Sequence, residues 1–131
     1  MIRVLPKLNV VSTENAPSAV GPYSQAIIAN GFVFVSGQLG IDPKTGNFAG
    51  YDTKTQFDQA LKNLKAILNS INLDLDDVVK TTVFLIDIDE FGLINDIYAN
   101  YFKNILPARS AIEVSKLPKG ARIEIEAIAS F

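Results

Sequence analysis

A chain of 131 residues, 48% hydrophobic and 20% charged, is long enough for one compact domain with a real core and lies far from the composition of disordered segments. Twelve basic against fourteen acidic residues leave a net charge of −2, which offers no general attraction to nucleic acid or to an anionic membrane. The absence of both cysteine and histidine excludes disulfides, thiol nucleophiles, thiolate metal sites and the commonest general base. Any chemistry must run on carboxylates, hydroxyls, lysine, arginine, backbone groups and water.

A first strand is expected around residues 7–12. After the loop Thr13-Glu14-Asn15-Ala16-Pro17, two apolar runs, Ser24–Ala29 and Phe32–Ser36, are separated by Asn30-Gly31. That dipeptide predicts a hairpin, because a type I′ turn needs positive φ at both central positions. Phe32-Val33-Phe34-Val35 does not alternate, which predicts a strand covered on both faces and ending at Ser36-Gly37. Asp42-Pro43-Lys44-Thr45-Gly46-Asn47 reads as a surface turn.

From Thr53 to Ile71, the residues Phe57, Leu61, Leu64, Ile67, Leu68 and Ile71 recur at steps of three and four, the spacing of one helix face. A strand is expected over 78–87. A second amphipathic helix follows over 91–104, continued in spacing by Ile105, and then come strands near 109–117 and 122–130, joined by Pro118-Lys119-Gly120. The order is βββαβαββ, one α+β domain over residues 1–131. Each helix has a single apolar stripe, so both are expected on one face of one sheet. The N-terminal Met-Ile-Arg-Val-Leu-Pro-Lys has no apolar signal-peptide core, and no stretch approaches the roughly 20 apolar residues of a membrane span. The cytoplasm is the expected location.

Period-two alternation puts Ile123, Ile125, Ala127 and Ala129 beneath the helices and Arg122, Glu124 and Glu126 on the opposite face. If Ile112 and Val114 also face the helices, Arg109 and Glu113 join that charged face. It reads either as the solvent side of a half-exposed sheet or as a face covered by self-association. The apolar residues Phe84 and Ile86 and the run Phe32–Val35 pull against the first reading, and a C₃ or other closed homo-oligomer burying that face is the natural alternative.

Five segments taken together resemble the RidA family (also YjgF or L-PSP), the reactive intermediate deaminases. They are Gly21-Pro22-Tyr23-Ser24-Gln25-Ala26, Ser36-Gly37-Gln38, Val79-Lys80-Thr81-Thr82-Val83-Phe84, Pro107-Ala108-Arg109-Ser110, and Leu117-Pro118-Lys119 followed by Ile123–Ala129. The resemblance spans about residues 12 to 129. It implies a chorismate-mutase-like fold, a mixed six-stranded sheet with two helices on one face and the last strand inside the sheet. It also implies a homotrimer with its sites at subunit interfaces, and no cofactor or metal. The implied activity is hydrolysis of enamine and imine intermediates, such as 2-aminoacrylate and 2-imino acids, to 2-keto acids and ammonium.

On the same resemblance Arg109 binds the substrate carboxylate, a task suited to a planar guanidinium with two parallel donors. Glu124 positions the attacking water, while Tyr23, Ser36, Gly37 and Asn95 surround the substrate. Glu126, about 6–7 Å along the strand from Glu124, is left without a role. Many relatives carry cysteine two residues after the arginine. Here Ala111 stands in that place, so a thiol role is impossible. Two other classes compete: a small-carboxylate (2-keto acid) sensor without turnover, and an RNA-cleaving protein. A near-neutral chain without histidine suits the second poorly.

Overall fold

The computed structural model describes residues 9–131. Eight principal elements follow in the expected order: β1 (Asn9–Val11), β2 (Ala26–Ala29), β3 (Phe32–Leu39), α1 (Thr53–Asn69), β4 (Val78–Leu85), α2 (Phe91–Tyr101), β5 (Ala108–Glu113) and β6 (Ile123–Ser130). Residues 7 and 8 of the expected first strand, and Arg3, lie outside the described residues. The strands form one six-stranded sheet ordered β1-β2-β3-β6-β4-β5. Only the β4–β5 pair is parallel, with α2 as its crossover, so the sheet is mixed.

Local chemistry sets the boundaries. Asn30 and Gly31 have φ of 53° and 80°, the left-handed geometry of the predicted hairpin turn, and Ala29 pairs with Phe32 across it. Asp52 caps α1 by accepting from the Thr55 amide. The first helix ends two residues before Ile71, where Asn72 turns left-handed at φ 62° and the Leu73 amide reaches back to the Leu68 carbonyl. The second stops at Tyr101 rather than Asn104, and Ile105, counted in its periodicity, is exposed.

Both helices cover one face of the sheet. Phe57, Leu61, Leu64, Ile67 and Leu68 of α1 and Ile94 of α2 are closed to solvent, as are Ile123 and Ile125 of β6 beneath them. Helix α1 also lies against the end of β3. The buried Asn63 amide donates to the carbonyls of Leu39 and Ile41, at 3.0 and 2.9 Å. At Gly40 a Cβ would fall 2.3 Å from the Gln56 carbonyl oxygen and 2.4 Å from its Cα.

Two expectations change. The strand β3 does not stop at Ser36-Gly37. It runs on to Leu39 through a bulge, with Val35 opposite Ala127 and Gln38 opposite Ile125, so three steps on β3 match two on β6. The side-chain parity of β5 is also opposite to expectation. Parallel pairing sets Arg109 beside Thr81 and Ala111 beside Val83, and both partners are fully buried under the helices. Arg109 and Ala111 therefore face the helical layer, while Ser110 and Ile112 face the open side.

The open side is apolar as well. Phe32, Phe34 and Ile112 are 43%, 45% and 48% exposed, beside Val10, Ile27 and Phe84. Because both faces carry hydrophobic side chains, hydrophobicity alone could not choose the parity of an edge strand.

Gly40→Ala is expected to destabilise the chain by about 1–3 kcal/mol, because the clash is with helix backbone that no rotamer change relieves. Urea unfolding should show a lower midpoint with an unchanged slope.

Candidate active site

The site is built around β6. Glu124 and Glu126 alternate with buried residues and pair across β4 with Phe84 and Thr82, which puts both carboxylates on the open face. Opposite them β3 bulges at Ser36-Gly37, outside the regular register. The Glu124 side chain lies against Gly37. A Cβ there would sit 2.6 Å from Glu124 Oε2 and 2.8 Å from Cδ, so any side chain at this position would push the carboxylate from its place.

A cleft of about 730 Å³ opens over this point, with Tyr23, Ser36, Gly37, Lys119, Glu124 and Glu126 among its lining residues. Val20, Leu39, Ile41 and Pro118 supply apolar wall. Ser36 Oγ donates to the Ser24 carbonyl at 2.5 Å, and the Ser36 amide to the Gln25 carbonyl at 2.9 Å. The serine thus ties the bulge to β2, and its hydroxyl proton is already committed.

The loop carrying Tyr23 is held from beneath. Buried Gln25 accepts from the Thr13 amide at 2.7 Å and donates to the carbonyls of Thr13 and Pro17 at 3.0 and 2.8 Å. The Tyr23 ring stays exposed, and its hydroxyl accepts from the Val20 amide at 3.4 Å.

Burial, and secondarily the like charge of Glu126, hold the Glu124 carboxyl above the ordinary value of 4.5. Among the described residues no three acidic side chains converge as a metal site would require.

The remaining two expected site residues lie elsewhere. Arg109, on edge strand β5, turns under α2, with its guanidinium carbon 5.1 Å from the Phe91 ring centroid and 4.8 Å from that of Tyr98. Asn95 occupies the turn of α2 between those rings, and its Oδ1 is buried without a hydrogen-bond partner among the described residues. Neither residue lines the cleft of Glu124. The sheet separates the two groups.

Arg122 and Glu113 also leave the expected charged face. Arg122 Nε donates to Thr53 Oγ1 at 2.8 Å and its terminal nitrogen pairs with Glu90, joining the start of β6 to the helical layer. Glu113 accepts from the Ile88 amide at 3.1 Å, on that same side.

Sequence reasoning missed Lys119 as a lining residue. It sits in the short turn Pro118–Gly120 with φ of 58°, followed by Gly120 at 71°. The dipeptide Lys-Gly after proline was the available signal, since two successive left-handed residues turn the chain back over the mouth of a strand.

A family model described as Endoribonuclease L-PSP matches residues 13–131. This chain belongs to the L-PSP (YjgF/RidA) family.

It is 54% identical over 120 residues to a RutC family protein of Pyrococcus horikoshii, covering 92% of this chain and 95% of that one. It is 52% identical over 120 residues to the 2-iminobutanoate/2-iminopropanoate deaminase of Rattus norvegicus, covering 92% and 88%. Among solved structures, a Rid family protein of Yersinia pestis superposes with a TM-score of 0.93 at 51% identity, over 95% of this chain and all of that one. Escherichia coli TdcF with bound serine gives 0.90 at 38%, over 94% and 98%.

A raised carboxyl pKa has a stability consequence whose sign is fixed. Above 4.5 and up to its raised value, the folded chain keeps a proton that the unfolded chain has released, so this group's contribution to stability falls as pH rises through that window. Glu124→Gln is therefore expected to melt higher than wild type at pH 7, with the difference vanishing below pH 4.5. Melting curves across that pH range check it.

Proposed function

We propose that this chain is a hydrolytic deaminase of reactive enamine and imine intermediates, converting 2-imino acids and water to 2-keto acids and ammonium. Relatives about 50% identical over nine-tenths of the chain carry the name 2-iminobutanoate/2-iminopropanoate deaminase. The observation that carries the reading is the half-buried Glu124 carboxylate, seated against Gly37 in a cleft of a chain with no histidine or cysteine.

In the proposed reaction Glu124 takes a proton from water as its oxygen bonds to the imine carbon. It then returns that proton to nitrogen. Glu124 next takes the hydroxyl proton as the C=O bond forms and the C–N bond breaks, and passes it to the departing ammonia, so that an iminium ion and water give the keto acid and ammonium. A carboxyl held above its ordinary pKa by burial is a better proton acceptor than a free one, which suits a group that must both accept and return a proton. Imines hydrolyse readily, so positioning and electrostatics suffice without a strong nucleophile. Arg109 holds the substrate carboxylate through paired charge-assisted hydrogen bonds, helped by the Gly37 amide, and Tyr23, Ser36 and Asn95 complete the enclosure.

Arg109 and Glu124 face opposite sides of one sheet, so a single substrate meets both only if they come from different copies. The apolar open face, with Phe32, Phe34 and Ile112, supports such an assembly, and a homotrimer with interface sites is the proposed form. Among the described residues no helix is long and apolar enough to cross a membrane. The cytoplasm, where enzymes of amino-acid breakdown release such imines, is the proposed location.

An amino-acid oxidase or a threonine dehydratase generates the imines in situ, and keto-acid release is then followed. Arg109→Ala is expected to lose roughly 100-fold in kcat/KM, the worth of a charged hydrogen-bonded pair. Time courses identical to wild type would defeat the deaminase reading. If Glu124→Ala left turnover unchanged while Arg109→Ala abolished keto-acid binding, the water-positioning role of Glu124 would be wrong; a wild-type chain that bound 2-keto acids through Arg109 without accelerating imine hydrolysis would instead be a small-carboxylate sensor.

Interface sites make a further prediction. Arg109→Ala and Glu124→Ala chains, each inactive, are expected on equal mixing and reassembly to recover about one quarter of wild-type activity, because a quarter of the interfaces then pair two intact halves. No recovery from a verified mixed oligomer would place both residues in one subunit's site.

A further inference from the structure

We propose that Phe91 and Tyr98 are positioning residues that clamp the Arg109 guanidinium and so aim its N–H edges at the carboxylate of a ligand; this rests on reading Arg109 as the carboxylate-binding group. The two aromatic residues are seven positions apart on α2, which puts them on one helix face with about 10 Å between them along the axis. The guanidinium carbon is nearly equidistant from the two ring centroids, at 5.1 and 4.8 Å. It is therefore seated midway, over the turn that carries Asn95.

The clamp is rigid on the Tyr98 side. That ring is 6% exposed, packs 4.4 Å from the Phe102 centroid and stacks on Phe57 at 6.4 Å. Its hydroxyl shares a 2.8 Å hydrogen bond with fully buried Thr81, the residue that pairs with Arg109 between β4 and β5. One buried bond thus fixes the ring to the strand lying beside the arginine. Phe91, at the first turn of α2, supplies the second wall.

A cation over aromatic faces is held by the ring quadrupole while its N–H donors, which lie in the guanidinium plane, remain unused. Among the described residues no carboxylate forms an ion pair with Arg109, although Arg122 finds Glu90. An arginine on an edge strand ordinarily keeps much rotamer freedom, and ordering it on binding would weaken a ligand's hold. Two rings remove that freedom beforehand. They also leave unpaired donors where a ligand acid can approach.

The test separates aim from mere folding. Phe91→Leu is expected to raise KM for 2-imino acids roughly fivefold to tenfold, in keeping with loss of a desolvated cation–π contact, with kcat within about twofold. The dissociation constant for a 2-keto acid, measured by calorimetry, should rise by the same factor. Phe91→Tyr should restore both.

Hydrolysis of the corresponding imino amide, which has no carboxylate, should be equally fast in wild type and Phe91→Leu. Tyr98→Phe keeps the ring and its packing on Phe57 and Phe102 but loses the bond to Thr81, and should raise KM less than Tyr98→Leu, which should behave as Phe91→Leu does. Unchanged KM and keto-acid affinity in a folded Phe91→Leu would overturn the clamp, as would an equal loss for acid and amide. Failure of the deaminase reading would show in the wild-type protein itself, and the keto-acid affinities would still decide the clamp.

Discussion

The middle of a sheet leaves a strand no freedom to rotate, and most of what is distinctive here depends on β6 being there. It is hydrogen-bonded to β3 on one side and β4 on the other, with Ile123, Ile125, Ala127 and Ala129 locked under two helices. The acids between them then have one place to go. A one-residue slip would put two carboxylates into the core, a cost far beyond any local gain, so register and acid placement are fixed together. Glu124 is consequently held half-buried at a defined spot, and the bulge in β3 makes space for its head where a regular strand residue would not.

This placement carries a cost in stability that the rest of the domain offsets. An ionised carboxylate beside a second one, partly removed from water, opposes folding at neutral pH. The surrounding apolar packing is extensive, and the loop over the cleft is tied down by Gln25 and the bulge by Ser36, through backbone groups that any sequence would offer. Ser36 and Gln25 are therefore best understood as fixing the walls against which Glu124 works.

How much of this was legible beforehand differed by element. Hairpin, helices, strand order along the chain and the face of Glu124 could be read because each rests on local chemistry or on a clean alternation with buried partners. Arg109 could not be placed from alternation. Its strand is an edge strand with Ala111 and Ile112 in adjacent positions, and Ile112 sits on an apolar face that the single chain leaves open. The rule that apolar side chains point inward assumes one hydrophobic face, and this sheet has two. Arg122 failed differently. It stands one residue before the strand begins, where Thr53 and Glu90 at the helix starts draw the side chain to their own side.

The misplacement of Arg109 has more consequence than a wrong face on one strand. Had it shared the open face with Glu124, a lone chain would have held both charge-bearing groups of the proposed reaction. With β4 between their strands and the sheet between their side chains, one chain presents the Glu124 carboxylate on one side and, on the other, the Arg109 cation against the Phe91 and Tyr98 rings. A fold of this kind separates its two charged tools by the thickness of a sheet, which keeps Arg109 from pairing with Glu124 and quenching both. On the proposed function, association through the apolar face would couple catalysis to assembly: the same hydrophobic surface that would drive oligomerisation would bring one copy's cation to another copy's carboxylate, and a dissociated chain would be inert.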